Sequence, residues 1–366
     1  MEKYKIAMVK LFGEYLPLTE TFIYSELANI KNYDVTFYTK KITNADQFPF
    51  KDVRLFNNME DLEKSIIENN IQLIHARFGP SGIGIINLKK KLGLPLLTSF
   101  HGFDVPTNKR PVYTKQLSNL FDVGEAFTTT SIYMKNILTS YGCDESKIIV
   151  QNSGININTF IKNDNFKNKN DNKVIIISAG RLIEKKGMEY LIKGFYAASK
   201  VYPNIHLRII GEGELFQPLS NLVINLGIQD KVEFIGSLPH SEIVKEFNNA
   251  DIFALCSIED RVGNQEGIPN VLKEAMACSL PILSTQHAGI PELVHDGLCG
   301  FLVPEKDSES IAEKLIKLIE SRSMWNVMGQ QGRNIIEHSF NNQKQIPKLE
   351  GIYSKLITNA NIYNFG

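Results

Sequence analysis

The chain has 366 residues, long enough for two domains with separate cores, and its 43% hydrophobic and 22% charged residues are an ordinary soluble balance. Forty Lys and Arg offset forty Asp and Glu; residues 1–160 hold 18 cations against 16 anions and the rest 22 against 24, so no basic face points to nucleic acid. No apolar run approaches the roughly 20 residues of a membrane-spanning helix.

The N-terminus, with Glu2, Lys3 and Lys5 around a short Ile-Ala-Met-Val, reads as the start of a strand and not as a signal peptide. Strands are expected at Lys5–Lys10, Asp34–Tyr38, Leu73–Ala76, Leu96–Ser99, Ala126–Thr129 and Ile148–Val150, with helical patterns such as Thr21–Ile30 and Gly82–Leu92 between them. Alternation of this kind predicts a doubly wound parallel sheet. Asn163–Lys173 is rich in Asn, Lys and Asp, lacks periodicity, and reads as a linker. A second series follows at Val174–Ala179, His206–Ile210, Val232–Ile235, Ile252–Cys256, Pro281–Ser284 and Gly300–Val303, and Asn341–Thr358 reads as a terminal helix. The expected organisation is a first domain over 1–162, a linker over 163–173, a second domain over 174–340 and a closing helical segment over 341–366. Two such domains would face a central cleft at their strand ends, where open α/β sheets bind ligands. Four cysteines form no C-x-x-C pair, and Cys256 and Cys278 sit in apolar runs; a reduced, cytoplasmic setting fits.

Two segments carry candidate chemistry. In Glu266-Gly267-Ile268-Pro269-Asn270-Val271-Leu272-Lys273-Glu274-Ala275-Met276-Ala277 two carboxylates stand eight residues apart. Pro suits the first position of a helix, which puts Glu266 in the preceding loop and Glu274 about two turns inside. The N–H groups of that helix start favour an anion such as a diphosphate. A carboxylate on either side could hold the hydroxyls of the two sugars in a nucleotide diphosphate-sugar. On spacing alone, an amphipathic helix with two incidental glutamates reads equally well. Gly180-Arg181-Leu182-Ile183-Glu184-Lys185-Lys186-Gly187 follows a buried-strand pattern and precedes a helical one. Such a turn with cations is a common phosphate site, Arg181 offering a planar fork and Lys186 a compact charge. A plain glycine turn with solvated cations is the alternative.

Together these segments resemble the donor half of a retaining GT-B glycosyltransferase of the family 4 type. RIIGEGEL (208–215), VEFIGSLP (232–239), ADIFALCS (250–257) and GIPELVHDGLCGFLVP (289–304) follow in the family's order. SFHGFDV (99–105) resembles its strand-end His motif, and TETFIYSEL (19–27) the first-loop segment of polysaccharide-assembly members. The resemblance implies a GT-B fold whose chain end crosses back onto the first domain. It implies donor binding by Gly180, Arg181, Lys186, Gly267, Ile268, Pro269, Asn270 and Glu274, with Glu274 at the ribose. His101 and Glu266 would stand beside the transferred sugar, and Thr19, Glu20 and Thr21 on the acceptor side. Departures are Gly267-Ile268-Pro269 where many members have Gly-Phe-Gly, Thr19-Glu20-Thr21 where many have a Gly-Gly pair, and Ser153-Gly154-Ile155-Asn156 where Asn-Gly-Val-Asp is usual.

No Asp-x-Asp occurs and no His pair has metal-ligand spacing, so the expected enzyme uses no metal or other cofactor. Gly211-Glu212-Gly213 lacks the third glycine of a dinucleotide fingerprint and reads as a turn. Lys89-Lys90-Lys91 reads first as cations offsetting a helix dipole, although such a basic helix could touch an anionic inner membrane face. The expected partners are a UDP- or GDP-linked sugar donor and a glycan or lipid-linked acceptor in bacterial surface polysaccharide synthesis. The rivals are a sugar-nucleotide epimerase of the same architecture and a non-catalytic sugar-nucleotide-binding protein.

Overall fold

The computed structural model describes residues 3–17, 20–163 and 173–363, the side chains as far as 360. It divides into two compact units, one of Met1–Ile155 with Asn341–Gly366 and one of Asn156–Phe340. Of the expected linker, residues 164–172 lie outside the described residues.

Unit one is built on a seven-stranded sheet of β1 (Lys5–Val9), β2 (Asp34–Thr39), β3 (Val53–Leu55), β4 (Leu73–Arg77), β5 (Leu96–Phe100), β6 (Ala126–Thr129) and β7 (Ile148–Val150). The order is β3-β2-β1-β4-β5-β6-β7, parallel throughout. Strands covered on both faces bury every residue, as in β4 and β5, and so read as continuous apolar runs. The short edge strand β3 is absent from the expectation: Val53-Arg54-Leu55 is half exposed, too brief for a pattern, and ordered by its pairing to β2. The helix expected over Gly82–Leu92 is two, Gly79–Gly84 and Ile86–Leu92. The first starts early because the Asp104 carboxylate accepts the Gly79 N–H at 2.9 Å, a cap from 25 residues away that local pattern does not show. The closing helix, Asn342–Tyr363, packs on unit one: Leu349, Ile352, Tyr353 and Ile357 share a core with Ile6, Met8, Phe37 and Leu73.

Unit two holds β8 (Val174–Ala179), β9 (Ile205–Ile210), β10 (Val232–Gly236), β11 (Ile252–Leu255), β12 (Ile282–Thr285) and β13 (Gly300–Val303). The order β10-β9-β8-β11-β12-β13 is again parallel. The order reverses between β8 and β11, so the carboxyl ends of these two strands flank the crevice where doubly wound sheets bind ligands. Both candidate segments emerge there, Gly180–Gly187 after β8 and the loop to Glu266 after β11.

Candidate active site

The loop after β8 is shaped by its neighbours. Glu212 O accepts the Leu182 N–H at 2.8 Å, and Lys185 O accepts the Ile258 N–H at 2.9 Å. Two glycines permit this. A Cβ on Gly187 (φ +61°) would lie 1.8 Å from the Cys256 carbonyl oxygen, and one on Gly211 (φ +131°) 2.0 Å from that of Gly180. Gly211-Glu212-Gly213 is thus a turn moulded over the Gly180–Ile183 backbone. Arg181 is exposed, whereas the Lys185 and Lys186 side chains are each only 12% exposed.

Those two lysines meet Glu266. Its Oε1 lies 2.8 Å from Lys186 Nζ and its Oε2 3.7 Å from Lys185 Nζ. Burial pushes the Glu266 carboxyl up, but Lys186 and Lys185 more than offset this and hold it at about 2. Burial lowers the Lys185 ammonium in turn. One carboxylate between two ammonium groups leaves a net positive cluster out of water, which favours an incoming anion. The Glu266 N–H donates to His287 Nε2 at 3.0 Å, and His287 Nδ1 lies 2.6 Å from Glu305 Oε1.

Gly267, Ile268 and Pro269 are buried and lead into the helix Asn270–Ala277. Pro269 caps this helix with extended ψ of 126° and is not its first residue. Glu274 is therefore the fifth helical residue, just over one turn inside, not the expected two. No side chain caps the helix start; Asn270 Oδ1 instead takes Lys273 Nζ at 2.9 Å. Glu274 is buried, with Oε1 3.5 Å from His240 Nε2. Burial lowers the His240 pKa, but the Glu274 hydrogen bond and charge outweigh it, and the net shift is upward.

In unit one His101 follows β5. Its ring lies against Phe22 and Phe78, with centroids 4.7 and 5.1 Å away. Its Nε2 is 3.0 Å from Arg77 Nη2. Arginine only donates, so Nε2 accepts and neutral His101 carries its proton on Nδ1. Arg77 is fully buried at the end of β4 and paired with Glu26 at 2.5 Å. Asp104 Oδ1 accepts the N–H groups of His101 and Gly102 at 2.8 and 3.0 Å, which ties the His101 loop to the helix at Gly79. Glu20 pairs with Lys10 at 2.5 Å, and Thr21 opens the first helix. Thr19 lies outside the described residues. In the Lys89–Lys91 run, Lys89 pairs with Glu125 and Lys91 with Glu63, each at 2.7 Å.

Lys185, His287, Glu305, His240 and Arg77 belong to these clusters and carry no expectation from sequence. Lys185 stands in the quoted loop, where spacing alone does not show which lysine turns inward. His287 and Glu305 come together because β12 and β13 pair in register, Thr285 opposite Val303.

Residues 160–335 match the sequence model of the glycosyl transferases group 1, and residues 31–159 that of glycosyltransferase family 4. The chain is 33% identical over 276 residues to the putative colanic acid biosynthesis glycosyltransferase WcaL of Escherichia coli, across 73% of this chain and 66% of that protein, just under two thirds of its length. It is 31% identical over 290 residues to the amylovoran biosynthesis glycosyltransferase AmsK of Erwinia amylovora, across 78% and 70%. Among solved structures, Anabaena HepE in complex with UDP and glucose superposes with a TM-score of 0.83 at 17% identity, over 96% of this chain and all (100%) of that one. The sucrose-phosphate synthase of Thermosynechococcus elongatus gives 0.82 at 17%, over 98% and 100%. At such identity these likenesses show the fold, two parallel-sheet α/β domains of the GT-B type.

Proposed function

This chain belongs to the family 4, group 1 glycosyltransferases, and from that premise we propose a retaining, metal-independent transfer of a sugar from a UDP- or GDP-linked donor to a glycan or lipid-linked acceptor in bacterial surface polysaccharide synthesis. The observation that carries the reading is the buried carboxylate of Glu266 held between Lys186 and Lys185 at the switch point of unit two, four residues ahead of the helix that starts at Asn270. The likeness to WcaL and AmsK, glycosyltransferases of colanic acid and amylovoran biosynthesis, supports a polysaccharide product, and HepE with UDP and glucose supports a nucleotide-linked donor.

On this reading the diphosphate takes the N–H groups at Asn270 and the cations of Arg181 and Lys186, with the Gly180 and Gly267–Pro269 backbone around it. As the bond from the anomeric carbon to the diphosphate breaks, these groups stabilise the charge gathering on the leaving oxygen, and no metal is needed for that. Glu274 holds ribose hydroxyls. Glu266, freed to share Lys186 with the phosphate, holds hydroxyls of the transferred sugar. In the overall reaction the acceptor oxygen replaces the diphosphate on the anomeric carbon, and the hydroxyl proton is given up as the nucleotide diphosphate is released. The family resemblance assigns His101 to the transferred sugar, and Glu20, Thr21 and Thr19 to the acceptor side. No helix among the described residues is long and apolar enough to cross a membrane; a lipid-linked acceptor would be met by peripheral contact at the inner, cytoplasmic face.

A panel of UDP- and GDP-sugars with acceptor, read by release of nucleotide diphosphate, tests the activity. Calorimetric titration with the nucleotide diphosphate tests the two glutamates. Glu274→Gln should weaken that binding and raise KM; Glu266→Gln should lower kcat and leave the binding nearly intact. The opposite pattern reverses the two roles. Wild-type behaviour in both variants shows that this motif is not a site.

A further inference from the structure

The loop from β11 to the helix Asn270–Ala277 contains the segment Glu259–Glu266, whose two ends are tied to one carboxylate. Glu305, two residues past the end of β13, accepts the Glu259 N–H on Oε2 at 2.9 Å and faces His287 Nδ1 with Oε1 at 2.6 Å. His287, whose side chain is only 2% exposed, presents its other nitrogen to the Glu266 N–H at 3.0 Å. An N–H donor at Glu266 requires a lone pair on Nε2. The imidazole proton must then lie on Nδ1, where the Glu305 carboxylate accepts it. The chain of bonds has one consistent direction: Glu266 N–H to His287 to Glu305. Within the loop, Gln265 Nε2 donates to Glu259 Oε2 at 2.8 Å, and Asp260 accepts from Asn264. The Glu259–Glu266 segment is thereby closed on itself and anchored at both ends.

We propose that His287 and Glu305 are positioning residues that fix the Glu266 peptide, and with it the carboxylate, at the transferred sugar. The proposal rests on the reading of Glu266 given above. A loop displaced by about 1 Å at a reacting centre can cost about a hundredfold in rate, whereas Glu274 and Arg181 lie on other segments and keep hold of the nucleotide. Loss of the clamp therefore acts on kcat and spares nucleotide binding.

Four variants test it, with kcat, KM, nucleotide diphosphate affinity by calorimetry and the thermal midpoint read on each. Glu266→Gln checks the underlying reading. His287→Leu removes both bonds and should lower kcat tenfold or more, with nucleotide diphosphate affinity within about twofold of wild type. His287→Gln keeps an acceptor for Glu266 N–H and a donor for Glu305, and should recover kcat to within about threefold. Glu305→Gln has one acceptor oxygen for two donors, so it can satisfy Glu259 or His287 but not both; its kcat should fall between those of the two His287 variants. If Glu266→Gln loses kcat while His287→Leu keeps it within twofold, the positioning role is wrong and the site reading stands. If His287→Leu loses nucleotide affinity and kcat together, or His287→Gln is no better than His287→Leu, the residue is merely part of the core. A Glu266→Gln variant with wild-type kcat overturns the site reading, and the positioning role with it.

Discussion

Replacing Lys186 with methionine isolates the electrostatics of the site. The Glu266 carboxyl stands at about 2 against an ordinary 4.5, so ionisation in the folded state is favoured by about 3 kcal/mol, at about 1.4 kcal/mol per pH unit. With an effective dielectric of about 20, the attractions to Lys186 at 2.8 Å and Lys185 at 3.7 Å are about 6 and about 4 kcal/mol. Lys186 supplies the larger share, and without it burial returns the carboxyl at least to its ordinary range. The folded-state value is depressed, so the stabilisation is fully present above about 4.5 and is lost as pH falls through about 2. Lys186→Met should therefore cost unit two about 3 kcal/mol at pH 7, within the range for breaking a buried pair from one side, and should flatten the decline in stability between pH 4.5 and 2. Trp325, the single tryptophan, is buried in the same unit, so its fluorescence during urea unfolding reports the relevant transition. Glu266→Gln and the double variant complete a cycle whose coupling should reach about 2 kcal/mol. Parallel pH curves for wild type and Lys186→Met, with coupling below about 0.5 kcal/mol, would refute the pair.

Arg181 is exposed, so Arg181→Ala should lower turnover about a hundredfold while moving stability by less than about 0.5 kcal/mol; steady-state rates at saturating donor beside urea midpoints check both halves. Gly187→Ala drives a methyl into the Cys256 carbonyl at φ +61° and should cost at least about 2 kcal/mol by Trp325-monitored unfolding. His240 is raised by Glu274 once burial is overcome, so its stabilisation is complete below about 6.5 and is lost as pH climbs through the folded value. The stability difference between wild type and His240→Gln should thus shrink from pH 6 to pH 9, and a difference independent of pH would show that the pair is not ionic.

Periodicity placed twelve of the thirteen strands among the described residues, because a strand buried on both faces must be apolar along its whole length: Val174–Ala179 and Gly300–Val303 agree with the structure to the residue. Glu266, Glu274, Arg181 and Lys186 stand on local features, a glycine turn between strand and helix and a proline beside a helix start, which mark them as candidates; the family resemblance, not spacing, sets them above incidental surface charges. What only the tertiary structure decided is how these groups are charged and held. The early start of the helix at Gly79 rests on Asp104, and the edge strand Val53–Leu55 rests on β2. Lys185 joins Lys186 on Glu266 because Gly187 lets the loop pack against Cys256. His287 and Glu305 converge through the β12–β13 register. Arg77 sets the tautomer of His101 from another strand. Secondary structure follows the spacing of side chains along one segment, whereas the protonation state and orientation of a buried group depend on whichever distant residues the fold packs within about 3 Å of it.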